Sequence, residues 1–183
     1  IVSNSDLEKI VNTSDEWIKS RTGIEKRHIV SKGQASVDMS VRAFKNLQNK
    51  FDINVNSIDM IIAATTTPDT IFPSTASQIQ RTISASNAAA FDISVACSGF
   101  VHGLSIASTF IESKKYKKIL LVGADTMSSI LNFKDRNTCV LFGDGAGVII
   151  LEDGSDYVMM MEPATNGGGS PTNDITKIRL TNT

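Results

Sequence analysis

Two short apolar runs, Met60-Ile61-Ile62-Ala63-Ala64-Thr65 and Ile119-Leu120-Leu121-Val122-Gly123, restrict the fold more than anything else in the chain. Each has the length and composition of a strand buried on both faces, and neither is long enough for a buried helix. Ala89-Ala90-Phe91-Asp92-Ile93 forms a third short strand between them. The intervening segments carry helical spacing. Val37, Val41, Phe44 and Leu47 precede the first strand; Ala76, Ile79 and Ile83 follow it, with Pro73 in the first turn of their helix. Phe100, Leu104, Ala107 and Ile111 share one face of a helix after Cys97, closed by the charges of Lys114–Lys118. Gly99, Gly103, Ser105 and Ala107 permit this helix to pack closely, predicting burial on more than one side. Strands alternating with helices give an α/β layered fold with a mixed sheet. Thr138–Phe142 and Gly147–Glu152 read as two further strands meeting at a glycine-rich turn, with Val158–Glu162 beside them.

At the N-terminal side, Ser5 with Glu8 and Thr13 with Glu16 have capping-box spacing, predicting two short helices. The second stops near Gly23, Arg21 to Arg27 forms a basic connector, and His28 at its end is expected to be solvated. With 183 residues the chain has the length of one domain or one structural half of a larger one, and 1–183 reads as a single unit. Residues 163–183, with Gly167-Gly168-Gly169-Ser170-Pro171, are expected to be loop-rich and mobile. The 41% hydrophobic content supplies a core. A net charge of -1 argues against a nucleic-acid partner. No apolar run approaches the roughly 20 residues of a membrane span, and nothing after Ile1 reads as a signal peptide. Two cysteines make no disulfide framework, so a cytoplasmic setting is expected. No metal is expected, because no His, Cys, Asp and Glu cluster has ligand spacing.

Cys97 is the residue most suggestive of chemistry. It falls between a strand and an amphipathic helix, where free backbone N–H groups and the helix dipole stabilise a thiolate and can receive an oxyanion. The alternative is a buried structural cysteine, the reading that also suits Cys139 in its apolar segment. His102 lies about 140° around the helix from Cys97, given 3.6 residues per turn, and makes no convincing base. Trp17 and Arg21, four apart on one helix, offer a stacking surface beside a phosphate donor. A Trp packed on its own domain under a covering Arg fits the spacing equally. Arg136 is a second cationic candidate. Gly143-Asp144-Gly145-Ala146-Gly147 is followed by the strand Val148–Leu151, not by the helix a phosphate loop requires, and reads as a tight turn with close backbone approach.

Taken in order, Thr13-Ser14-Asp15-Glu16-Trp17-Ile18, Arg21-Thr22-Gly23-Ile24, Phe72-Pro73-Ser74, Ala96-Cys97-Ser98-Gly99-Phe100, Asp135-Arg136 and Phe142-Gly143-Asp144-Gly145-Ala146-Gly147 resemble the β-ketoacyl-acyl-carrier-protein synthase III family. The resemblance implies a thiolase-like fold with helices on both faces of a mixed central sheet, of which this chain matches the first half. It implies an acyltransferase that starts fatty acid synthesis, with acyl-CoA as substrate and no permanently bound cofactor. Cys97 would attack a short acyl-CoA, typically acetyl-CoA, and pass the acyl group to malonyl-acyl carrier protein with loss of carbon dioxide. Trp17 and Arg136 match residues that sandwich the CoA adenine, and Arg21 and Thr13 match positions near its nucleotide end. Phe72 and Phe142 match the acyl pocket, Phe72 from across a homodimer interface near Ala89–Ile93. The Cys97 N–H would supply half of the oxyanion hole. The family's later half brings a His and an Asn that promote decarboxylation, and those motifs are not in these residues. Two alternatives stand beside this reading: a related thiolase-fold enzyme making other β-keto products, and a truncated, non-catalytic remnant that binds CoA or a partner.

Overall fold

A computed structural model describes residues 1–154 and, as strands alone, Tyr157–Pro163 and Lys177–Ile178. The expectation of a mobile 163–183 segment falls almost wholly outside the described residues.

Six strands form one mixed sheet. β3 (Met60–Ala64) pairs in parallel with β4 (Ala89–Ile93) on one side and β5 (Lys118–Thr126) on the other. β6 (Asp144–Glu152), β7 (Tyr157–Pro163) and β8 (Lys177–Ile178) continue antiparallel. All five residues of β3 are buried, as its uninterrupted apolar run requires. β4 is the sheet edge and is only half-buried.

Side chains of β3, β5 and β6 point alternately to two cores. Ile61, Ala63, Leu120, Val122, Val148 and Ile150 pack against α3 (Ser36–Lys50) and α4 (Thr75–Thr82). Met60, Ile62, Ile119, Leu121, Ile149 and Leu151 pack against α5 (Gly99–Glu112). α4 links β3 to β4, and α5 links β4 back across to β5. Crossovers running in opposite directions with the usual right-handed sense place their helices on opposite faces, as found here. A two-stranded sheet of β1 (Val2–Ser3) and β2 (Lys26–Arg27), with α1 (Asn4–Leu7) and α2 (Asp15–Thr22), packs its own small core of Leu7, Ile18, Cys139 and Val140.

Several expectations need correction. The first capping box is Ser3 with Asp6, and Ser14, not Thr13, caps α2 by accepting the Trp17 N–H. Gly23 does end α2, in left-handed backbone at φ 70°. Pro73 precedes the Ser74 cap of α4 and so lies outside the helix. Lys114–Lys118 lies beyond α5, which ends at Glu112. Thr138–Phe142 is not a strand. Asp135 accepts the Asn137 N–H and the Thr138 hydroxyl, which folds Arg136–Cys139 into a helical turn, α6. Gly145 and Gly147 belong to β6, opposite Asp125 and Gly123, so only Gly143 remains outside the strand. Close approach does occur there: a Cβ on Gly143 would stand 2.9 Å from the His28 carbonyl oxygen. Burial of α5 is one-sided. Gly99, Gly103, Ala107 and Ile111 form the covered stripe, whereas Val101 and Ser105 are exposed. The small residues let α5 press on β3 and β5, and nothing among the described residues covers its outer face.

Candidate active site

The carboxyl ends of β3, β4 and β5 lie together, where open α/β sheets place their ligands. Asp125 at the end of β5 gathers the loop after β3: its Oδ1 accepts the Thr66 N–H at 2.8 Å and the Thr66 and Thr67 hydroxyls at 2.9 and 3.0 Å. The Thr65 N–H donates to the Ile93 carbonyl at the end of β4, 3.1 Å away. From there the chain turns through Val95 into a 3₁₀ turn, Ala96–Ser98, that runs directly into α5. Ala96 has φ 46°, left-handed backbone that a side chain with a Cβ adopts only under constraint. Cys97 follows it and is exposed, with its thiol free. The Ser98 hydroxyl turns back to the Val95 carbonyl at 2.9 Å, so no side chain caps α5. Cys97 therefore sits where strained backbone meets an uncapped helix N-terminus, and among the described residues nothing buries it as a structural cysteine would be. Cys139 is that residue: it is fully buried, and burial pushes its thiol pKa up.

Neither histidine is hydrogen-bonded to Cys97 among the described residues. His102 is exposed and its Nδ1 lies 2.9 Å from the Ser98 carbonyl oxygen. His28 is half-buried, not solvated, and its backbone carbonyl accepts the Asp144 N–H at 2.8 Å; burial lowers its pKa.

A second cluster forms on α2 and α6. The Arg21 guanidinium carbon lies 4.5 Å from the Trp17 ring centroid, as an i, i+4 pair allows. Arg136, from the first turn of α6, comes to 4.6 Å from the same ring and donates from Nη1 to the Asn12 carbonyl at 3.1 Å. Thr13 stands beside this contact, its Oγ1 buried without a partner among the described residues. Trp17, Arg21 and Arg136 are thus brought together as a half-buried indole with two exposed cations, and Thr13, next in the chain to Asn12, adds an unsatisfied hydroxyl. No hydrogen bond or ring contact among the described residues joins Cys97, Phe72 or Phe142 to this cluster. Phe142 is half-buried. Phe72 is 90% exposed and Ile71 97%, at the tip of a loop held at its base. There Asp92 of β4 accepts the Thr75 and Ala76 N–H groups, both at 2.7 Å.

Three features escaped sequence reasoning: the left-handed Ala96, the Asp125 hub, and a buried Arg27. No local pattern marks any of them, since each depends on partners distant in the chain.

Residues 91–167 match the family model described as 3-oxoacyl-[acyl-carrier-protein (ACP)] synthase III. A beta-ketoacyl-[acyl-carrier-protein] synthase III from Caldanaerobacter subterraneus subsp. tengcongensis is 54% identical over 151 residues, 82% of this chain and 46% of its own length. One from Rickettsia bellii is 43% identical over 193 residues, 97% of this chain and 60% of its own. The chain belongs to the β-ketoacyl-acyl-carrier-protein synthase III family. Its fold agrees. The crystal structure of the synthase III from Aquifex aeolicus superposes with a TM-score of 0.80 at 47% identity, over 85% of this chain and 51% of that one. The Thermus thermophilus structure gives 0.81 at 36% identity, over 83% and 47%. The architecture is thiolase-like, as expected. The chain spans about half the length of the curated relatives it matches. Among the described residues no helix is long and apolar enough to cross a membrane.

Proposed function

We propose that the protein is a condensing acyltransferase in which Cys97 accepts a short acyl group, typically acetyl, from acyl-CoA and transfers it to malonyl-acyl carrier protein. The exposed Cys97 between left-handed Ala96 and the uncapped start of α5 carries this reading. The Cys97 thiolate attacks the thioester carbonyl, and its own N–H and the start of α5 favour the negative charge that develops on oxygen. Collapse of the tetrahedral adduct expels the CoA thiolate, which takes up a proton, and leaves an acyl thioester on Cys97. Malonyl-acyl carrier protein then loses carbon dioxide. The resulting enolate carbon attacks the acyl carbonyl and returns Cys97 as thiolate, giving a β-ketoacyl-acyl carrier protein. No residue described here is assigned to the decarboxylation.

The Thr13, Trp17, Arg21 and Arg136 cluster holds the CoA nucleotide in this reading. Adenine enters between Trp17 and Arg136, replacing the direct stack of guanidinium on indole, and the Thr13 hydroxyl gains a partner. A homodimer through β4 and the Phe72 loop fits the half-buried edge strand and the two exposed apolar residues at the loop tip. Phe72 and Phe142 then border the acyl chain. Free Cys97 and Cys139 fit a reducing cytoplasm.

The test is a condensation assay with the full-length protein, acetyl-CoA and malonyl-acyl carrier protein. Formation of acetoacetyl-acyl carrier protein that Cys97→Ala abolishes supports the proposal. Product formation undiminished by Cys97→Ala overturns it.

A further inference from the structure

Arg27 is 5% exposed, and among the described residues no carboxylate pairs with it. Its Nη1 donates to Asn4 Oδ1 and its Nη2 to the Val140 carbonyl, both at 2.8 Å, while Nε is buried without a partner. Asn4 is itself buried, and its Nδ2 donates to Asp15 Oδ1 and to the Ile24 carbonyl, again at 2.8 Å each. Asp15 opens α2, which carries Trp17 and Arg21, and Ile24 follows the end of α2. Val140 directly follows α6, which carries Arg136. A continuous chain of hydrogen bonds, Asp15–Asn4–Arg27–Val140, therefore connects the two elements whose side chains meet on the Trp17 ring.

Burying a guanidinium with only neutral acceptors is costly, and an aliphatic side chain would fill the same space at lower cost. What the guanidinium supplies is a planar fork that reaches two acceptors in fixed directions. We propose that Arg27 is a positioning residue for the nucleotide site: through Asn4 and Val140 it sets the separation of α2 and α6, and so the gap between Trp17 and Arg136. This rests on reading the Trp17 cluster as the CoA nucleotide site. Arg27 touches no ligand, and its effect is confined to the part of the substrate that the cluster grips.

The test uses the full-length protein and compares acylation of Cys97 by acetyl-CoA and by acetyl-pantetheine, a thioester without the nucleotide. Arg27→Lys retains the cation but cannot span both acceptors. In case it fails to fold, Asp15→Ala removes the outer end of the chain at a half-exposed site. Reactivity with acetyl-CoA is expected to fall about tenfold, with acetyl-pantetheine changed by less than about twofold. Equal loss with both thioesters, or no loss with acetyl-CoA in folded variants, overturns the proposal. A wild-type protein that uses both thioesters equally brings down the nucleotide reading instead. The relay is then decided by Trp17 fluorescence, taken as the difference from Trp17→Phe. Arg27→Lys should shift it in the direction that Arg136→Ala does, and an unchanged spectrum overturns the relay.

Discussion

Arg136 stacks on Trp17, its guanidinium carbon 4.6 Å from the ring centroid, while Arg21 occupies a second position 4.5 Å from the same ring. One indole thus holds two cations that have no carboxylate partner among the described residues. An aromatic base inserted between Trp17 and Arg136 would keep a stacking surface on both of its faces.

Replacing Trp17 or Arg136 by Ala is expected to weaken CoA binding by about 1–3 kcal/mol, through lost stacking and cation–π contact. Turnover at saturating acyl-CoA should change less, because groups that grip only the nucleotide would hold ground and transition states alike. Calorimetric titration with CoA measures the first effect and steady-state kinetics the second. Unchanged affinity in both variants would remove the cluster from the CoA site.

Iodoacetamide should label Cys97 much faster than Cys139 in the native protein. Cys97 is exposed, whereas Cys139 is fully buried with its thiol pKa pushed up by burial. Acetyl-CoA should protect Cys97, and denaturant should bring Cys139 to a comparable rate. Peptide mapping after timed labelling reads both sites.

Gly143→Ala is expected to destabilise the fold by about 1–3 kcal/mol. The new Cβ would stand 2.9 Å from the His28 carbonyl oxygen and 3.1 Å from Arg27 Cβ, so backbone has to move. The same shift would strain the Asp144 N–H bond to the His28 carbonyl, now 2.8 Å. Denaturant unfolding tests this, and a variant as stable as the wild type would contradict the close approach.

Stability should also decline on mild acidification because of His28. Burial lowers its pKa below the ordinary 6.5. The unfolded chain then binds more protons in the interval between the folded value and 6.5, so stability falls as pH drops through that interval and levels off below it. His28→Gln should flatten that part of the pH–stability curve, measured by unfolding at fixed temperature.

Much of the sheet was legible because its signal is local. Met60–Ala64 and Ile119–Gly123 are apolar at every position, and the Gly99–Gly103–Ala107–Ile111 stripe follows helical spacing, so neither needs distant partners to be recognised. Val140-Leu141-Phe142 misleads for the opposite reason. It has strand composition, but the Asp135 cap before it and the Arg27 bond to the Val140 carbonyl decide its shape, and the second of these comes from the far end of the chain. Capping positions slipped by one or two residues, as with Thr13 for Ser14, because Ser, Thr and Asp crowd both helix starts and any of them can serve. At the site, the Trp17–Arg21 pair followed from spacing alone. Arg136 stood out only as a lone loop cation; its pairing with Trp17, like the role of Phe72, entered through resemblance. Arg27 stayed hidden in a stretch of charges whose composition reads as solvated connector.

The central claim is that Cys97 forms the acyl-enzyme. Its most direct test is peptide mapping of the full-length protein by mass spectrometry after brief exposure to acetyl-CoA without malonyl-acyl carrier protein. One acetyl group on the peptide containing Cys97, removed by hydroxylamine and missing in Cys97→Ala, is the predicted result. A fully active protein whose Cys97 peptide carries no acetyl group would contradict it.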